Sequence, residues 1–172
     1  MNSDNILDLE NRRLIYQLVV KYAGCHYRDI ERMSKLSAGV AKYHLSFLLK
    51  HKLIRIKKVG NTVTYFPMMV DQFNDKILAL LRQRSIRIIL LSIIVDKDVS
   101  HEEIVKLVGV SPSTVSWHLK KLEDEAIIKK ETQHKKTKYV ILYDQKKIIE
   151  LLISYQESFM DNLVDKVIEM WG

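Results

Sequence analysis

Two clusters of basic side chains are the groups in this sequence whose chemistry is easiest to interpret. The first holds Arg55, Lys57 and Lys58, and the second holds Lys129, Lys130, Lys135, Lys136 and Lys138. Ammonium and guanidinium groups bind phosphate oxygens through charge and give affinity that does not depend on sequence. A single lysine on an edge strand is weak evidence, because it also protects against aggregation. Two clusters in one chain predict a polyanionic partner.

The sequence shows no arrangement of residues that indicates catalysis or metal binding. It contains no phosphate-binding glycine loop, no nucleophile elbow and no clustered acid–base set. Cys25 is the one cysteine, which excludes a disulfide framework and a multi-cysteine zinc site. We interpret Cys25, beside His26, as a helix-end residue rather than a ligand. The sequence therefore predicts no enzyme, no cofactor and no metal site.

The composition is that of a folded, water-soluble protein. The 172 residues are 47% apolar and include 5 Gly and 2 Pro, which argues against a disordered or fibrous chain. Charged residues interrupt positions 4–13, and the longest apolar run, 88–95, is far shorter than the roughly 20 residues of a membrane span. We expect a cytoplasmic protein with no membrane partner, made of one medium domain or two small ones.

Positive charge is concentrated in the first half of the chain. Residues 1–85 carry 15 Lys+Arg and 7 Asp+Glu, whereas residues 86–172 carry 13 and 14. Such an asymmetry predicts a polyanion bound on the basic side, nucleic acid being the commonest. A basic surface without a partner is the alternative interpretation.

An internal repeat at an offset of 74 residues organises the sequence. It runs without a gap from about residue 13 to residue 66 of the first copy. His44 matches His118, and Tyr43 matches Trp117, and apolar positions between the identities also match. Few identities with matching apolar character are what two copies of one small fold would leave. The repeat predicts two similar domains, each with three helices and a hairpin.

The second copy shows the clearest local signals. We predict helices over 84–95 and 101–108, with a capping box between Ser100 and Glu103 and a left-handed turn at Gly109. Ser111 and Pro112 begin the next helix, whose buried stripe is Val115, Leu119 and Leu122. Residues 127–129 and 139–142 read as strands. The first copy predicts helices near 6–23, 27–34 and 38–51 and strands 54–58 and 63–67, joined through Gly60-Asn61.

The element order of each copy is that of a winged helix-turn-helix domain. In this motif the second helix of the pair offers its N-terminal half to base edges in the major groove, and the hairpin, or wing, flanks it. The predicted recognition helices are 37–50 and 111–123. The predicted DNA-binding residues are small or polar residues of these helices and basic or turn residues of the wings: Ser37, Ala38, Gly39, Lys42, Tyr43, Ser46, Arg55, Lys57, Lys58 and Asn61 in copy one, and Ser111, Ser113, Thr114, Ser116, Trp117, Lys120, Lys130, Lys135, Lys136 and Lys138 in copy two.

Copy two resembles the ArsR-like winged-helix regulators. Residues 115–122 read V-S-W-H-L-K-K-L, followed by E-D-E-A-I-I, against a family pattern of roughly T-V-S-x-H-L-x-x-L-x-x-x-G-L-V. Ala126 stands where that family usually has Gly. Copy one resembles the pattern more loosely through V-A-K-Y-H-L-S-F-L at 40–48. The tandem arrangement is similar to that of archaeal tandem winged-helix regulators, which implies transcriptional regulation through DNA. The Cys-x-Cys signature of the metal-sensing members is absent.

Two further helices are predicted outside the repeat. Residues 71–82 form a linker helix that can continue into the first helix of copy two. Residues 144–171 form one long helical pattern with two apolar stripes and a net charge of −3. Because one small domain cannot cover so wide an apolar surface, we predict a homodimer through this helix. Packing against the linker helix within one chain is the alternative.

The predicted fold class is mainly α with small β-hairpin wings. It comprises winged helix-turn-helix domains at 1–69 and 85–143, a linker helix at 70–84 and a C-terminal dimerisation helix at 144–172. The predicted function is a sequence-specific double-stranded DNA-binding transcriptional regulator. A protein-binding scaffold and an architectural DNA-binding protein of low specificity are the alternatives. The charge asymmetry predicts that Lys42→Ala or Arg55→Ala weakens DNA binding more than Lys120→Ala.

Overall fold

The computed structural model describes residues 7–133 and 136–159, and the chain divides into two units, Met1–Leu80 and Leu81–Gly172. Each unit is described by itself. Both of them contain three helices followed by an antiparallel hairpin, as the repeat predicts. Across the described ranges, no helix combines the length and apolar character that crossing a membrane requires.

The helices of the first unit enclose an apolar core. They are α1 (Glu10–Lys21), α2 (Tyr27–Ser34) and α3 (Ala38–Lys50). Ser37 is the N-cap of α3, its hydroxyl accepting a hydrogen bond from the backbone N–H of Val40. The buried positions of each helix recur at helical spacing, so each helix has one core face. The core residues are Ile15, Val19, Ile30, Ala41, Leu45, Leu48 and Ile54.

The sheet of the first unit has three strands in the order β1-β3-β2. β2 (Ile54–Val59) and β3 (Thr62–Pro67) form the expected hairpin around Gly60-Asn61, in register from Ile54 opposite Pro67 to Val59 opposite Thr62. β1 (Cys25–His26) pairs antiparallel with β3, with Cys25 opposite Tyr65. This strand was not predicted, because two residues are too short to show an alternating pattern. Cys25 therefore lies buried in a strand rather than at a helix end, which corrects that expectation.

The linker region is broken rather than one continuous helix. A short 3-10 helix, Gln72–Asn74, leads into α4 (Asp75–Leu81), and the next helix begins only at Arg84. The expected run from the linker helix into copy two is therefore interrupted at residues 82 and 83. α4 lies against the first unit at Gly24, where a Cβ would stand 3.0 Å from the backbone nitrogen of Ala79. Gly24 also has a φ of +86°, so both space and conformation require glycine there.

The second unit repeats the three helices and the hairpin of the first, and its described sheet has two strands rather than three. It contains α5 (Arg84–Val95), α6 (His101–Val108), α7 (Pro112–Asp124) and the antiparallel hairpin β4 (Ile128–Gln133) and β5 (Lys136–Ile141). The capping box predicted at α6 is present: the Ser100 backbone N–H donates to Glu103, and the Glu103 backbone N–H donates back to Ser100 Oγ. The stripe predicted for α7 is buried. Local signals thus fix the same elements twice.

The prediction of one long C-terminal helix is wrong within the described residues, where two shorter helices lie instead. α8 (Gln145–Ser154) is capped by Asp144 and stops at Tyr155, where ψ rises to 10°. A four-residue helix, α9 (Gln156–Phe159), follows. The Arg82 side chain donates to the Ser158 carbonyl at 3.3 Å and to its hydroxyl at 2.8 Å, so α9 is fixed by groups that the helical pattern does not show. The rest of the predicted helix, 160–171, lies outside the described residues.

In both units a residue in the left-handed conformation follows the third helix of the repeat. Lys52 and Ala126, which are 74 positions apart, each have a φ of +55°. The backbone N–H of Leu53 then donates to Leu48, as that of Ile127 does to Leu122. Residues with a Cβ are disfavoured in this region by roughly 1–2 kcal/mol. This geometry explains why glycine suits the position where Ala126 departs from the ArsR-like pattern.

We expect Ala126→Gly to stabilise the second unit by up to about 1 kcal/mol. Glycine removes the conformational strain, although part of the gain is offset by the greater freedom of glycine in the unfolded chain. Urea unfolding followed by circular dichroism measures the change. Gly109→Ala is the matched control, because Gly109 has a φ of +74° and a Cβ there would meet no heavy atom within 4 Å. Replacing this glycine by alanine should therefore destabilise the second unit through backbone conformation alone. A lower stability for Ala126→Gly would show that Ala126 is not strained.

Candidate nucleic-acid interface

The helix pair of the first unit is joined by a tight turn. Lys35 ends α2 in the left-handed conformation, with a φ of +56°, where Gly109 ends α6 in the second unit. The Tyr27 hydroxyl donates to the backbone carbonyl of Ala38 at 3.0 Å, which ties the start of α2 to the start of α3. Lys42 Nζ lies 5.6 Å from the centre of the Tyr27 ring. These contacts fix the angle at which α3 is presented.

The outer face of α3 carries the residues predicted to approach DNA. Every one of them is exposed, whereas Ala41, His44, Leu45 and Leu48 on the opposite face are buried. A Cβ at Gly39 would meet no heavy atom within 4 Å, so the start of the helix presents a smooth backbone surface. The exposed set comprises Ser37, Ala38, Gly39, Lys42, Tyr43 and Ser46. Small residues followed by a lysine and an aromatic ring let the helix approach a polyanion closely.

The wing of the first unit places two lysines and the turn in solvent. Lys57, Lys58 and Asn61 are exposed on the hairpin. Lys57 and Lys58 lie on opposite faces of β2, because successive strand residues alternate. The hydroxyl of Thr64 donates to the Lys57 carbonyl at 2.9 Å and holds the lysine's backbone in place. The wing therefore offers positive charge to either side of its ribbon.

Arg55, also predicted to bind DNA, is a residue of the first wing whose side chain is engaged within its own unit. Its guanidinium donates to the carbonyls of Pro67 and Val70 and to the carboxylate of Asp75 in α4. The two side chains are 13% and 2% exposed. Burial raises the pKa of Asp75, while Arg55 acts in the opposite direction. A side chain engaged in this way holds the wing to α4.

The second recognition helix begins in a cluster of hydroxyl groups. Ser111 Oγ lies 3.0 Å from Ser113 Oγ and 2.8 Å from Thr114 Oγ1, and all three residues are exposed. Ser116 lies 3.0 Å from His101 Nε2. His101 and Ser116 occupy the positions of Tyr27 and Lys42, so the same two sites join the helices in both units. The 74-residue offset places both pairs at matching positions, but a contact between these residues was not predicted.

Carboxylates lie beside two lysines of the recognition helix and wing in the second unit. Lys120 lies 3.7 Å from Asp124, and Lys129 lies 3.5 Å from Glu131. Lys130 is exposed, and Lys138 is half-buried opposite Glu131 in the hairpin. Lys136 begins β5, and Lys135 lies outside the described residues. Lys120 and Lys129 are thus the lysines of this surface that have an ion-pair partner among the described residues.

A buried histidine lies at the same place in each recognition helix. His44 and His118 are 6% and 8% exposed, and neither Nδ1 has a hydrogen-bond partner within the described ranges. Tyr43 packs edge-on against His44, with ring centroids 5.1 Å apart, and Trp117 packs in the same way on His118 at 5.0 Å. These histidines lie on the buried face of each recognition helix and contact the exposed aromatic ring that precedes them. The described residues contain no group of three or more possible metal ligands.

Both units are expected to lose stability as the pH falls below about 6.5, the usual histidine pKa in an unfolded chain. Burial lowers the pKa of His44, with a smaller effect from Arg12, and burial lowers the pKa of His118, with a smaller effect from Lys121. The unfolded chain then takes up protons first, so stability falls from that pH down to the folded pKa. Urea unfolding between pH 7.5 and 5.0 measures this. An unchanged slope in a His44→Gln, His118→Gln variant would contradict it.

Two units, each with a helix pair, a tight turn, an exposed second helix and a hairpin, define a tandem winged helix-turn-helix protein. Residues 9–78 match a family described as an N-terminal HTH domain, and residues 76–129 match one described as winged helix-turn-helix DNA-binding. An uncharacterized HTH-type transcriptional regulator of Methanocaldococcus jannaschii is 31% identical over 144 residues. That alignment covers 82% of this chain and 36% of the relative, so this chain spans about a third of the relative's length.

The comparisons confirm the fold class and the tandem arrangement predicted from the sequence. They also confirm the resemblance to an archaeal regulator of this kind. Neither family description mentions ArsR-like regulators, so that part of the resemblance stays a prediction.

Proposed function

We propose that this chain is a sequence-specific double-stranded DNA-binding transcriptional regulator. The observation that carries the proposal is the repeated presentation of an exposed helix, with small residues at its start and a buried face behind it. A helix of this kind fits the major groove of B-DNA. The family matches and the name of the archaeal relative support the same class and argue against an enzyme.

The first unit supplies most of the electrostatic affinity in this proposal. Three lysines of this unit are exposed: Lys42, Lys57 and Lys58. None of them takes part in an ion pair with another described residue. Lys120 of the second unit has Asp124 beside it. The first wing and helix then bind phosphates, and the second helix contributes through its hydroxyls and Trp117. Lys42→Ala is therefore expected to weaken binding more than Lys120→Ala, whereas Arg55→Ala would disturb the fold and does not test a DNA contact.

We also propose that the chain forms a homodimer through its C-terminal segment. The apolar pattern that begins at Ile148 continues in the sequence to Trp171, and Ile153 in α8 is 47% exposed. Two chains would place two pairs of recognition helices on a duplex, which suits a palindromic site. Light scattering coupled to gel filtration should give twice the 20.2 kDa chain mass. A monomer at micromolar concentration would reject the dimer without affecting DNA binding.

Selection from a random duplex pool tests the sequence-specific function. A regulator should enrich a common motif, and the recovered duplex should bind at least about 1,000-fold more tightly than a scrambled one in competition. Equal binding of both duplexes would indicate an architectural protein. Failure to bind either would indicate a scaffold that recognises protein, and the basic first wing would then contact an acidic partner.

A further inference from the structure

The recognition helices lack the side chains that usually distinguish purines. Neither α3 nor α7 contains arginine, asparagine or glutamine. Arginine or lysine pairs with guanine, and asparagine or glutamine pairs with adenine, through two hydrogen bonds in the major groove. In the proposed function Lys42 binds phosphate, and Lys120 lies beside Asp124, so neither lysine is left to pair with guanine. Direct recognition by these helices must therefore rely on other chemistry.

Both helices carry a methyl-bearing side chain and an aromatic ring at the same two positions. Val40 and Tyr43 in α3 are 37% and 59% exposed, and they correspond to Thr114 and Trp117 in α7. Trp117 is 58% exposed, and Thr114 is exposed as well. Residues three apart share one face of a helix, so each methyl-bearing side chain lies beside its aromatic ring. We call Val40 with Tyr43, and Thr114 with Trp117, the two aliphatic–aromatic pairs.

The aromatic rings are supported rather than freely mobile. Tyr43 and Trp117 each pack edge-on, at 70° and 69°, against the buried histidine that follows them. Lys121 Nζ lies 5.4 Å from the Trp117 ring on the same helix. An exposed large aromatic ring normally loses conformational freedom when it binds a partner. Support from a buried neighbour reduces that loss, so these rings are prepared for contact.

We propose that the two aliphatic–aromatic pairs recognise the C5-methyl groups of thymine, so the protein selects sites by the placement of A·T pairs. This inference rests on the proposed function. The thymine methyl group is the one apolar group that a base pair presents in the major groove, and it is contacted by apolar side chains. Burying one methyl group contributes about 0.8 kcal/mol, which corresponds to roughly a fourfold change in affinity.

Replacing thymine by deoxyuracil tests the inference, because it removes only that methyl group. The probe is the tightest duplex recovered from the random pool, synthesised once with thymine and once with deoxyuracil throughout. Fluorescence anisotropy should show that the wild-type protein binds the deoxyuracil duplex at least about fourfold more weakly for each methyl contacted. The Tyr43→Ala, Trp117→Ala variant keeps Val40 and Thr114 and should lose most of the preference for thymine. Circular dichroism checks that this variant is folded.

Two controls separate a thymine-methyl contact from a general loss of affinity. Tyr43→Phe with Trp117→Phe keeps a ring at each position and should retain the preference for thymine. Val95→Ala, an exposed apolar residue outside the recognition helices, should also retain it. Equal wild-type binding of both duplexes overturns the inference and leaves the proposed function in place. A thymine preference that is undiminished in the double alanine variant overturns the assignment to these residues. Recovery of no duplex at all rejects the proposed function.

Discussion

Replacing Lys42, Lys57 and Lys58 together with alanine is expected to weaken binding to a random-sequence duplex by on the order of 100-fold at 0.1 M salt. Each lysine that neutralises a phosphate releases a counterion, which gives affinity that rises as salt is lowered. Loss of three contacts should therefore also reduce the slope of log affinity against log salt by about 3. Fluorescence anisotropy on a labelled duplex at several salt concentrations measures both quantities.

A charge-matched variant separates local contacts from net charge. Lys21, Lys97 and Lys146 are exposed and lie outside the recognition helices and wings. Replacing these three with alanine removes the same total charge, and the affinity should fall much less than in the first variant. Lys120→Ala should also have a small effect, because Asp124 already lies 3.7 Å from its ammonium group. Equal losses in the two triple variants would show that the first unit presents no dedicated phosphate surface.

Removing the carboxylate of Asp75 should destabilise the first unit by about 3–5 kcal/mol. Asp75→Ala leaves the Arg55 guanidinium in a largely buried site, where it loses its charged partner. The carbonyls of Pro67 and Val70 remain as acceptors but do not balance its charge. Urea unfolding monitored by circular dichroism should show an earlier transition for the first unit. Hydrogen exchange should place the loss in the wing and α4.

Two further variants make this prediction specific. Arg32→Ala breaks the exposed pair with Asp29, keeps the Asp29 carboxylate that caps α2, and should change the unfolding free energy by less than about 1 kcal/mol. Replacing both partners, as Arg55→Met with Asp75→Leu, removes the uncompensated charge and should recover most of the stability lost in Asp75→Ala. If Asp75→Ala behaved like Arg32→Ala, the Arg55–Asp75 pair would not hold the wing to α4.

The repeat made much of the fold and of the interface predictable from the sequence. Residues 74 positions apart have the same local structure: His44 and His118 are buried, Tyr43 and Trp117 are exposed, and Lys52 and Ala126 are left-handed. Caps and apolar stripes are local signals, so they fix helices without knowledge of the tertiary structure. Because the two copies carry the same signals independently, they predict the element order even where few identities remain.

The errors arise where a distant contact decides the outcome. Arg55 looks like a wing cation in the sequence, and its partner Asp75 is 20 residues away on a helix predicted only as a linker. The helix breaks at Tyr155 although no glycine or proline lies there. Arg82, whose side chain donates to Ser158 beyond the break, is 76 residues away from that serine. Neither spacing has a periodic signature, so only the folded structure shows which charged side chains are engaged.

The salt dependence of duplex binding tests the central claim most directly. A labelled random-sequence duplex is titrated with the purified protein at salt concentrations from about 50 to 300 mM, and anisotropy reports binding. If each chain neutralises about eight phosphates, the affinity should be micromolar or tighter at the lowest salt, with a slope near −7. No binding at about 50 mM salt, or binding that does not change with salt, would contradict a DNA-binding regulator and favour a protein-binding scaffold.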